Sequence, residues 1–523
     1  MGWWSAYFFA KLFLFAGGYI AFSPWLNLAF AIFTALPPQN PRQAFTKNLV
    51  AVPIGVILLY HDSWLPPITR VLAQTQNLAA FSIPYLLELL GRFINWMVLL
   101  QLAVLVVVYV FAKRKLRLST FVFIAIFAII LLPNGMPWFR SDIAPAAVAA
   151  TGVQRGVAPQ IDARNMRPEA LEAHLQEFYA KEAQRQVRFP KFSADEQPYD
   201  VIFVHACSLS WDDLDAAEHA NDPLLKRFDV LFTAFNSAAS YSGPAAIRLL
   251  RGNCGQTTHK SLYEAAPREC LVFDGLQDAG FEPQWVMNHD GHFGDFFADV
   301  REPARGAFPI AAEVLKGARV AQYAFDESPI YDDYSVLSQW WQQRQKNPSS
   351  HVALYYNTIS LHDGNRVAGK KDSSFKARLD KFTTDMQRFL DDVEKSDRRV
   401  IVIFIPEHGA AVRGDKRQIP GLREIPTPAI THVPVGIALL NATRDAKSTL
   451  QTIETPTSYL AVNELLSRLI AENPFAKSSL NLSSYTQNLP VTESVSENDG
   501  TVMLQIGRQY MMRTPDGDWS AWE

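Results

Sequence analysis

The stretch Arg399-Val400-Ile401-Val402-Ile403-Phe404-Ile405-Pro406-Glu407-His408-Gly409 decides the fold. From Val400 to Ile405 it is apolar without a break and almost wholly β-branched, which predicts a strand buried on both faces. Such strands belong to parallel sheets covered by helices. Glu407 and His408 follow at its carboxyl end, and Gly409 lets the backbone turn away. Ligands of open α/β sheets bind beyond the carboxyl ends of the strands, so this carboxylate and imidazole stand where chemistry is usually done. An acid and a histidine at a strand end are also ordinary, and the pair alone decides nothing.

Working outward, short apolar runs alternate with helical ones after Pro198. Candidate strands are Val201 to His205, Val230 to Ala234, Gln284 to Met287, Val352 to Asn357, Val400 to Ile405 and Val435 to Leu440. Helices are expected to begin near Gly243, Leu271, Phe375 and Thr457. The alternation predicts an α/β domain, a mainly parallel sheet flanked by helices. Val502 to Ile506, Gln509 to Met512 and the turn Pro515-Asp516-Gly517 predict a small antiparallel element at the C-terminus.

The N-terminal part is different in kind. Residues 1–140 carry ten basic side chains against Asp62 and Glu88, a balance of +8; the rest of the chain stands at −11. An acidic second half argues against nucleic-acid binding. Five apolar tracts run from Trp3 to Phe22, Trp25 to Leu36, Leu49 to Tyr60, Asn95 to Ala112 and Thr120 to Leu132. A membrane-crossing helix needs about 20 apolar residues, and about 17 suffice. The first and fourth tracts qualify outright; the second and third are short, with Pro24, Pro37 and Pro53 at or near them. Lys11 interrupts the first, either snorkelling or facing another helix.

Lys113-Arg114-Lys115-Leu116-Arg117 is the densest basic cluster near the membrane. The positive-inside tendency places it in the cytoplasm and everything after Leu132 outside. Ile68 to Phe93 suits a helix lying in the interface or packed on the spans. No small-residue cleavage site follows the first tract, which is read as retained. The expected organisation is a multi-span helical membrane domain over 1–139, a periplasmic linker with an amphipathic helix (Pro168 to Val187) over 140–197, and a periplasmic domain over 198–523. The protein is thus expected to be a multi-pass protein of a bacterial inner membrane.

Three strand ends matter together. The first soluble strand ends at Ala206-Cys207-Ser208, where a lone cysteine is ordinarily a buried structural thiol. Asn236 to Pro244 is a polar turn leading into the helical run Ala245 to Leu250, and a serine there is ordinarily an N-cap. Glu407 and His408 are the third. Cys, Glu and His are all good zinc ligands, and Ser242 waits at the same sheet edge. A catalytic zinc keeps one position open, here for the Ser242 oxygen, and metal contact lowers a hydroxyl's pKa as it does for bound water. The helix start after Ser242 offers backbone N–H groups to a phosphate.

Four segments carry a family likeness: Ala206-Cys207-Ser208, Ser240-Tyr241-Ser242-Gly243-Pro244-Ala245-Ala246-Ile247-Arg248, Ile359-Ser360-Leu361-His362-Asp363-Gly364-Asn365 and Pro406-Glu407-His408-Gly409. With them, the chain resembles the alkaline phosphatase superfamily. Within it, the chain is similar to the phosphoethanolamine transferases, in particular those of bacterial cellulose secretion systems. The resemblance implies an alkaline-phosphatase-like catalytic domain. It implies zinc-dependent transfer of phosphoethanolamine from phosphatidylethanolamine to glucose O6 of secreted cellulose, through a phosphoserine-type intermediate. It makes Ser242 the nucleophile and Cys207, Glu407 and His408 the zinc ligands, the Ser242 oxygen completing the shell. Tyr241, His362 and Arg423 match positions used around the phosphoryl group. The implied partners are the lipid donor, the cellulose acceptor, the membrane and subunits of the cellulose synthase complex.

Physical roles follow. Arg423 suits phosphoryl oxygens through two parallel hydrogen bonds, and His362 suits proton transfer to the leaving group or from the acceptor. Tyr241 donates to the phosphate or simply packs. The wider group usually has an acid in place of Cys207 and Asp in place of Glu407; both replacements bind zinc. Arg366 stands where relatives often have histidine, which weakens the case for a second metal. His432 occupies a place that binds metal or phosphate in relatives and is given a secondary role at most. The alternatives are a metal-dependent phosphatase or sulfatase-type hydrolase, and a non-catalytic membrane subunit of the secretion complex.

Three cysteines in an oxidising compartment leave one unpaired. Cys254 and Cys270 flank a short polar loop and are expected to form a disulfide, worth about 3 kcal/mol; Cys207 is then the zinc thiolate. Mass mapping of the non-reduced protein is expected to find Cys254 joined to Cys270. Cys207 bridged to either would contradict its assignment as a ligand.

Overall fold

The computed structural model describes residues 2–63, 91, 96–131, 162–192, 198–292, 296–301, 312–347, 350–369, 373–444, 450–476 and 481–522. They form two compact units, the N-terminal helices in one and the bulk of the chain after residue 161 in the other.

In the first unit a helix stands on each apolar tract: Trp4–Ala16, Pro24–Ala35, Pro41–Asp62, Trp96–Ala112 and Leu118–Leu131. Their lengths depart from expectation. The first stops after 13 residues, where Gly17-Gly18 follows and Gly18 takes φ +74°. The third, expected to be short, runs 22 residues with Pro53 inside it. Asn40 starts it by accepting from Gln43 N–H at 2.8 Å, and Pro41 sits in the first turn, where its missing N–H costs nothing. Pro41–Asp62 is the described helix long and apolar enough to cross a bilayer. Lys11 faces other helices rather than snorkelling: its buried ammonium lies 2.7 Å from Asp62 Oδ2 and 2.8 Å from Asn27 Oδ1. The expected interfacial helix over Ile68 to Phe93 and the first part of the expected linker fall, but for residue 91, outside the described residues.

In the second unit the strands are, in chain order, β1 (Tyr199–Ala206), β2 (Val230–Asn236), β3 (Phe281–Met287), β4 (Val320–Tyr323), β5 (Pro329–Tyr331), β6 (His351–Thr358), β7 (Arg366–Val367), β8 (Arg399–Pro406), β9 (His432–Leu440) and β10 (Gln451–Ile453). At the C-terminus follow β11 (Val495–Asn498), β12 (Thr501–Ile506), β13 (Gln509–Arg513) and β14 (Trp519–Trp522). The main sheet has the order β10-β2-β9-β8-β1-β6-β3. All six strands expected from the sequence are in it. β10 and the small sheet β5-β4-β7 were not legible, being two to four residues long.

β8, β1, β6 and β3 run parallel; β9 runs against both of its neighbours. The connection explains the reversal. Parallel neighbours need a crossover that returns the chain to the other end of the sheet. Residues 407–431 hold only the four-residue helix Pro428–Thr431 and make no crossover, so β9 starts at the edge where β8 ended. That connection carries Arg423.

Side chains of β8 alternate between two cores. Ile401, Ile403 and Ile405 pack with the helices Ser242–Leu250, Val272–Ala279 and Tyr459–Glu472. Val400, Val402 and Phe404 pack with Asp333–Arg344 and Phe375–Glu394. Each such buried side chain contributes about 1.5–3 kcal/mol. The C-terminal strands form a separate antiparallel sheet in the order β11-β12-β13-β14. The helix expected in the linker is Pro168–Glu182, and its Leu171, Leu175 and Phe178 are buried against Val495, Val502 and Leu504 of this sheet.

Gly436 in β9 has no room for a side chain: a Cβ there would lie 2.2 Å from the ring of Phe228, which stacks on Phe404 of β8 at 5.8 Å. Gly436→Ala is expected to destabilise the protein by about 1–3 kcal/mol, read as a lower thermal midpoint of the purified protein. An unchanged midpoint would contradict this close approach.

Candidate metal centre and nucleophile

Register brings the site together. Ala206 of β1 stands opposite both Thr358 of β6 and Pro406 of β8, so Cys207 and Glu407 leave the sheet side by side. The ladder continues past the strand ends: Cys207 N–H donates to Thr358 O at 2.8 Å, Glu407 N–H to Ala206 O at 2.8 Å and Leu209 N–H to His408 O at 2.6 Å. Ser208, at φ +67°, then turns the chain aside. Asn236, ending β2, pairs with His432 at the start of β9. The turn after it delivers Ser242 as the first residue of its helix, with Tyr241 extended at the N-cap.

Cys207, Glu407 and His408 are fully buried, whereas Ser242 is partly exposed and opens the site to solvent. Their three ligand atoms lie within 4.8 Å of one another. Ser242 Oγ is 3.4 Å from Cys207 Sγ and 3.3 Å from His408 Nε2, which is 3.8 Å from Glu407 Oε2. Zinc bonds of about 2.0–2.3 Å in a tetrahedron separate neighbouring ligands by about 3.3–3.8 Å, and the two Ser242 spacings and the His408–Glu407 spacing fall in that range. His408 Nδ1 donates to Gly409 O at 2.8 Å, leaving the lone pair on Nε2. Glu407 Oε2 is buried without a hydrogen-bond partner, a costly state for a carboxylate that has no cation beside it. A thiolate, an imidazole and a carboxylate suit zinc rather than magnesium or calcium.

With no cation present, burial pushes the Cys207 thiol up to about 12 and the Glu407 carboxyl up to about 7. Burial, and then the charge of Arg423, hold His408 well below the ordinary histidine range. Arg423 is buried, its Nε and Nη1 have no hydrogen-bond partner, and its guanidinium lies 5.4 Å from the Tyr241 ring centre. Tyr241 OH donates to Glu424 Oε1 at 2.8 Å. His362 Nδ1 donates to Asp363 O at 2.7 Å. Burial first, and Arg423 second, lower its pKa to about 4, so the imidazole is neutral at pH 7.

Cys207, Ser242, Glu407 and His408 therefore form one cluster, with Arg423 close enough to act on the ligands and on His362. Arg366 lies apart, paired with Glu327. His432 Nε2 is 3.3 Å from Ser494 Oγ and 3.5 Å from Tyr510 OH and is not among the clustered ligands. Cys254 and Cys270 are joined, S–S 2.03 Å, and Cys207 is free. Sequence reasoning missed Asn357, whose Nδ2 donates to Glu407 Oε1 at 2.6 Å. The signal was its place at the end of β6, the neighbour of β1. It also passed over His205, fully buried with Nδ1 3.7 Å from Glu407 Oε1, and driven by burial down to about 3 and so neutral.

Comparison with known proteins places the chain. Residues 156–519 match the family described as cellulose biosynthesis protein BcsG C-terminal domain, and residues 4–131 the BcsG N-terminal domain. Cellulose biosynthesis protein BcsG of Salmonella typhimurium is 38% identical over 534 residues, covering 99% of this chain and 95% of that protein. BcsG of Escherichia coli is 38% identical over 533 residues with the same coverages. Among solved structures, a protein in the alkaline phosphatase superfamily from Vibrio parahaemolyticus aligns over 67% of this chain and 87% of its own, at TM-score 0.46 and 13% identity. Matched in both halves, and aligned with two relatives along almost its whole length, the chain belongs to the cellulose biosynthesis protein BcsG family.

Proposed function

We propose that this protein is a zinc-dependent phosphoethanolamine transferase of the alkaline phosphatase superfamily. In this reading its N-terminal helices hold it in the bacterial inner membrane with the catalytic unit in the periplasm. It carries phosphoethanolamine from phosphatidylethanolamine to glucose O6 of secreted cellulose. The observation that carries the reading is the Ser242 hydroxyl, held at a helix start within 3.4 Å of Cys207 Sγ and 3.3 Å of His408 Nε2. Glu407 Oε2, which has no hydrogen-bond partner, completes the donor set. The family's link to cellulose biosynthesis supports the acceptor.

Held by Cys207, Glu407 and His408, zinc supplies positive charge that lowers the pKa of a hydroxyl and neutralises phosphoryl oxygens. Ser242 Oγ attacks the phosphorus; a serine–phosphorus bond forms as the bond to the diacylglycerol oxygen breaks. His362, neutral at rest, takes the serine proton and returns it to the departing oxygen. The acceptor hydroxyl then attacks the serine ester, His362 takes its proton, and Ser242 leaves with that proton restored. Arg423, whose Nε and Nη1 have no hydrogen-bond partner, donates to the equatorial oxygens, and the N-terminus of the helix Ser242–Leu250 adds backbone N–H donors.

The membrane half suits a lipid donor because anchoring confines the site near the bilayer and raises effective concentration. Lys113 Nζ lies 4.1 Å from the Trp3 ring centre, which supports grouping the N-terminus with the basic turn that this reading puts in the cytoplasm. An odd number of crossings then leaves the catalytic unit outside. Contacts with cellulose synthase subunits are assigned to these helices.

Ser242→Ala and Cys207→Ala are each expected to yield unmodified cellulose, by solid-state NMR of the secreted polymer, while the protein still reaches the membrane. Modified polymer from the serine variant would contradict the reading. Zinc affinity is expected to rise with pH, because zinc needs Cys207 and Glu407 without their protons. Below about pH 7 both protons must leave, and affinity should gain on the order of 100-fold per pH unit; above it only the thiol proton remains, for about tenfold. Chelator competition across pH measures this, and a flat profile would contradict the ligand set.

A further inference from the structure

The four parallel strands β8, β1, β6 and β3 end side by side, and hydrogen bonds link the residues along that edge. Glu407 follows β8, Asn357 lies near the end of β6, and His289 stands two residues beyond β3, whose Met287 is opposite Asn357. Asn357 Nδ2 donates to Glu407 Oε1 at 2.6 Å and to His205 O, at the end of β1, at 3.3 Å. Asn357 Oδ1 is 2.8 Å from His289 Nε2. His289 Nδ1 accepts from Gly291 N–H at 3.1 Å. Asn357, Glu407 and His289 are all buried.

One arrangement of protons satisfies this chain. A backbone N–H only donates, so His289 Nδ1 carries a lone pair and the proton of the neutral ring is on Nε2. Nε2–H then donates to Asn357, which must turn Oδ1 toward His289 and therefore Nδ2 toward Glu407. With the amide reversed, its oxygen would meet a carboxylate oxygen at 2.6 Å and its N–H would meet the Nε2–H of His289. The loop after the edge strand β3 thus dictates what is presented to Glu407 at β8, across two intervening strands.

We propose that His289 is a positioning residue for the metal centre: by fixing the Asn357 amide it ties down Glu407 Oε1 and leaves Oε2 as the ligand oxygen. The inference rests on the zinc reading above and goes beyond it to a residue that touches neither metal ligand nor nucleophile. His289 is in place because the register of β3 on β6 puts it there, and its tautomer because Gly291 N–H occupies Nδ1.

The test uses the purified full-length protein in detergent, zinc alone as probe and a chromophoric chelator as competitor. Asn357→Ala is expected to weaken zinc binding about 10–100-fold and His289→Ala about tenfold. Because His289 acts through Asn357, the double variant is expected to bind no more weakly than Asn357→Ala alone. His289→Gln, whose amide N–H supplies a donor to Asn357, is expected to stay within about threefold of wild type. His289→Leu fills the space and is expected to match His289→Ala, which keeps the test open should the alanine variant fail to fold. Thermal midpoints without zinc separate lost folding from lost affinity. Wild-type affinity in His289→Ala and His289→Leu, or effects that multiply in the double variant, would overturn this inference alone. A wild type that takes up no zinc would overturn the metal reading, and this inference with it.

Discussion

Ala206 of β1 stands opposite Pro406 of β8, and the candidate site follows from that register. It sets the cysteine after one strand beside the carboxylate and imidazole after the other. A slip of one residue would exchange every side chain of β8 between the two cores, sending Ile401, Ile403 and Ile405 to the face now filled by Val400, Val402 and Phe404. The apolar packing on both faces therefore protects the alignment of three polar residues that contribute nothing to the core. Two hydrogen bonds beyond the strands, from Cys207 N–H to Thr358 O and from Glu407 N–H to Ala206 O, extend the same alignment into the site.

Burial of those residues has an electrostatic consequence. A thiol, a carboxyl and an imidazole buried together resist ionisation, the first two rising and the third falling. A divalent cation held there would favour the ionised form of both acids, so its binding would release their protons. Arg423 alone does not neutralise the cluster: its Nε and Nη1 are without hydrogen-bond partners, and a guanidinium in that state suits an incoming oxyanion.

What was legible in the sequence was whatever depends on a local pattern. The apolar run Val400 to Ile405 identified its strand, and Pro515-Asp516-Gly517 its turn, because side-chain period and turn chemistry act over a few residues. Cys207, Ser242, Glu407 and His408 were legible as strand-end and helix-start residues of the right chemistry, and the structure gathers all four. The third N-terminal helix is longer than its apolar tract because the cap at Asn40 starts it at Pro41, in the polar residues before Leu49, where apolar pattern gave no sign of it. The direction of β9 was not legible because it is set by the connection before it, not by its own residues. Asn357 and His289 escaped notice for the same reason: their roles lie in the pairing of strands distant in sequence.

The central claim is that Ser242 becomes covalently loaded. The most direct test incubates the purified protein with phosphatidylethanolamine in the absence of acceptor, quenches with acid, digests and searches by mass spectrometry for the peptide containing Ser242. The account predicts a phosphoethanolamine increment on Ser242 that disappears when a glucan acceptor is added. An increment on another residue, or release of diacylglycerol with Ser242 never modified, would contradict it.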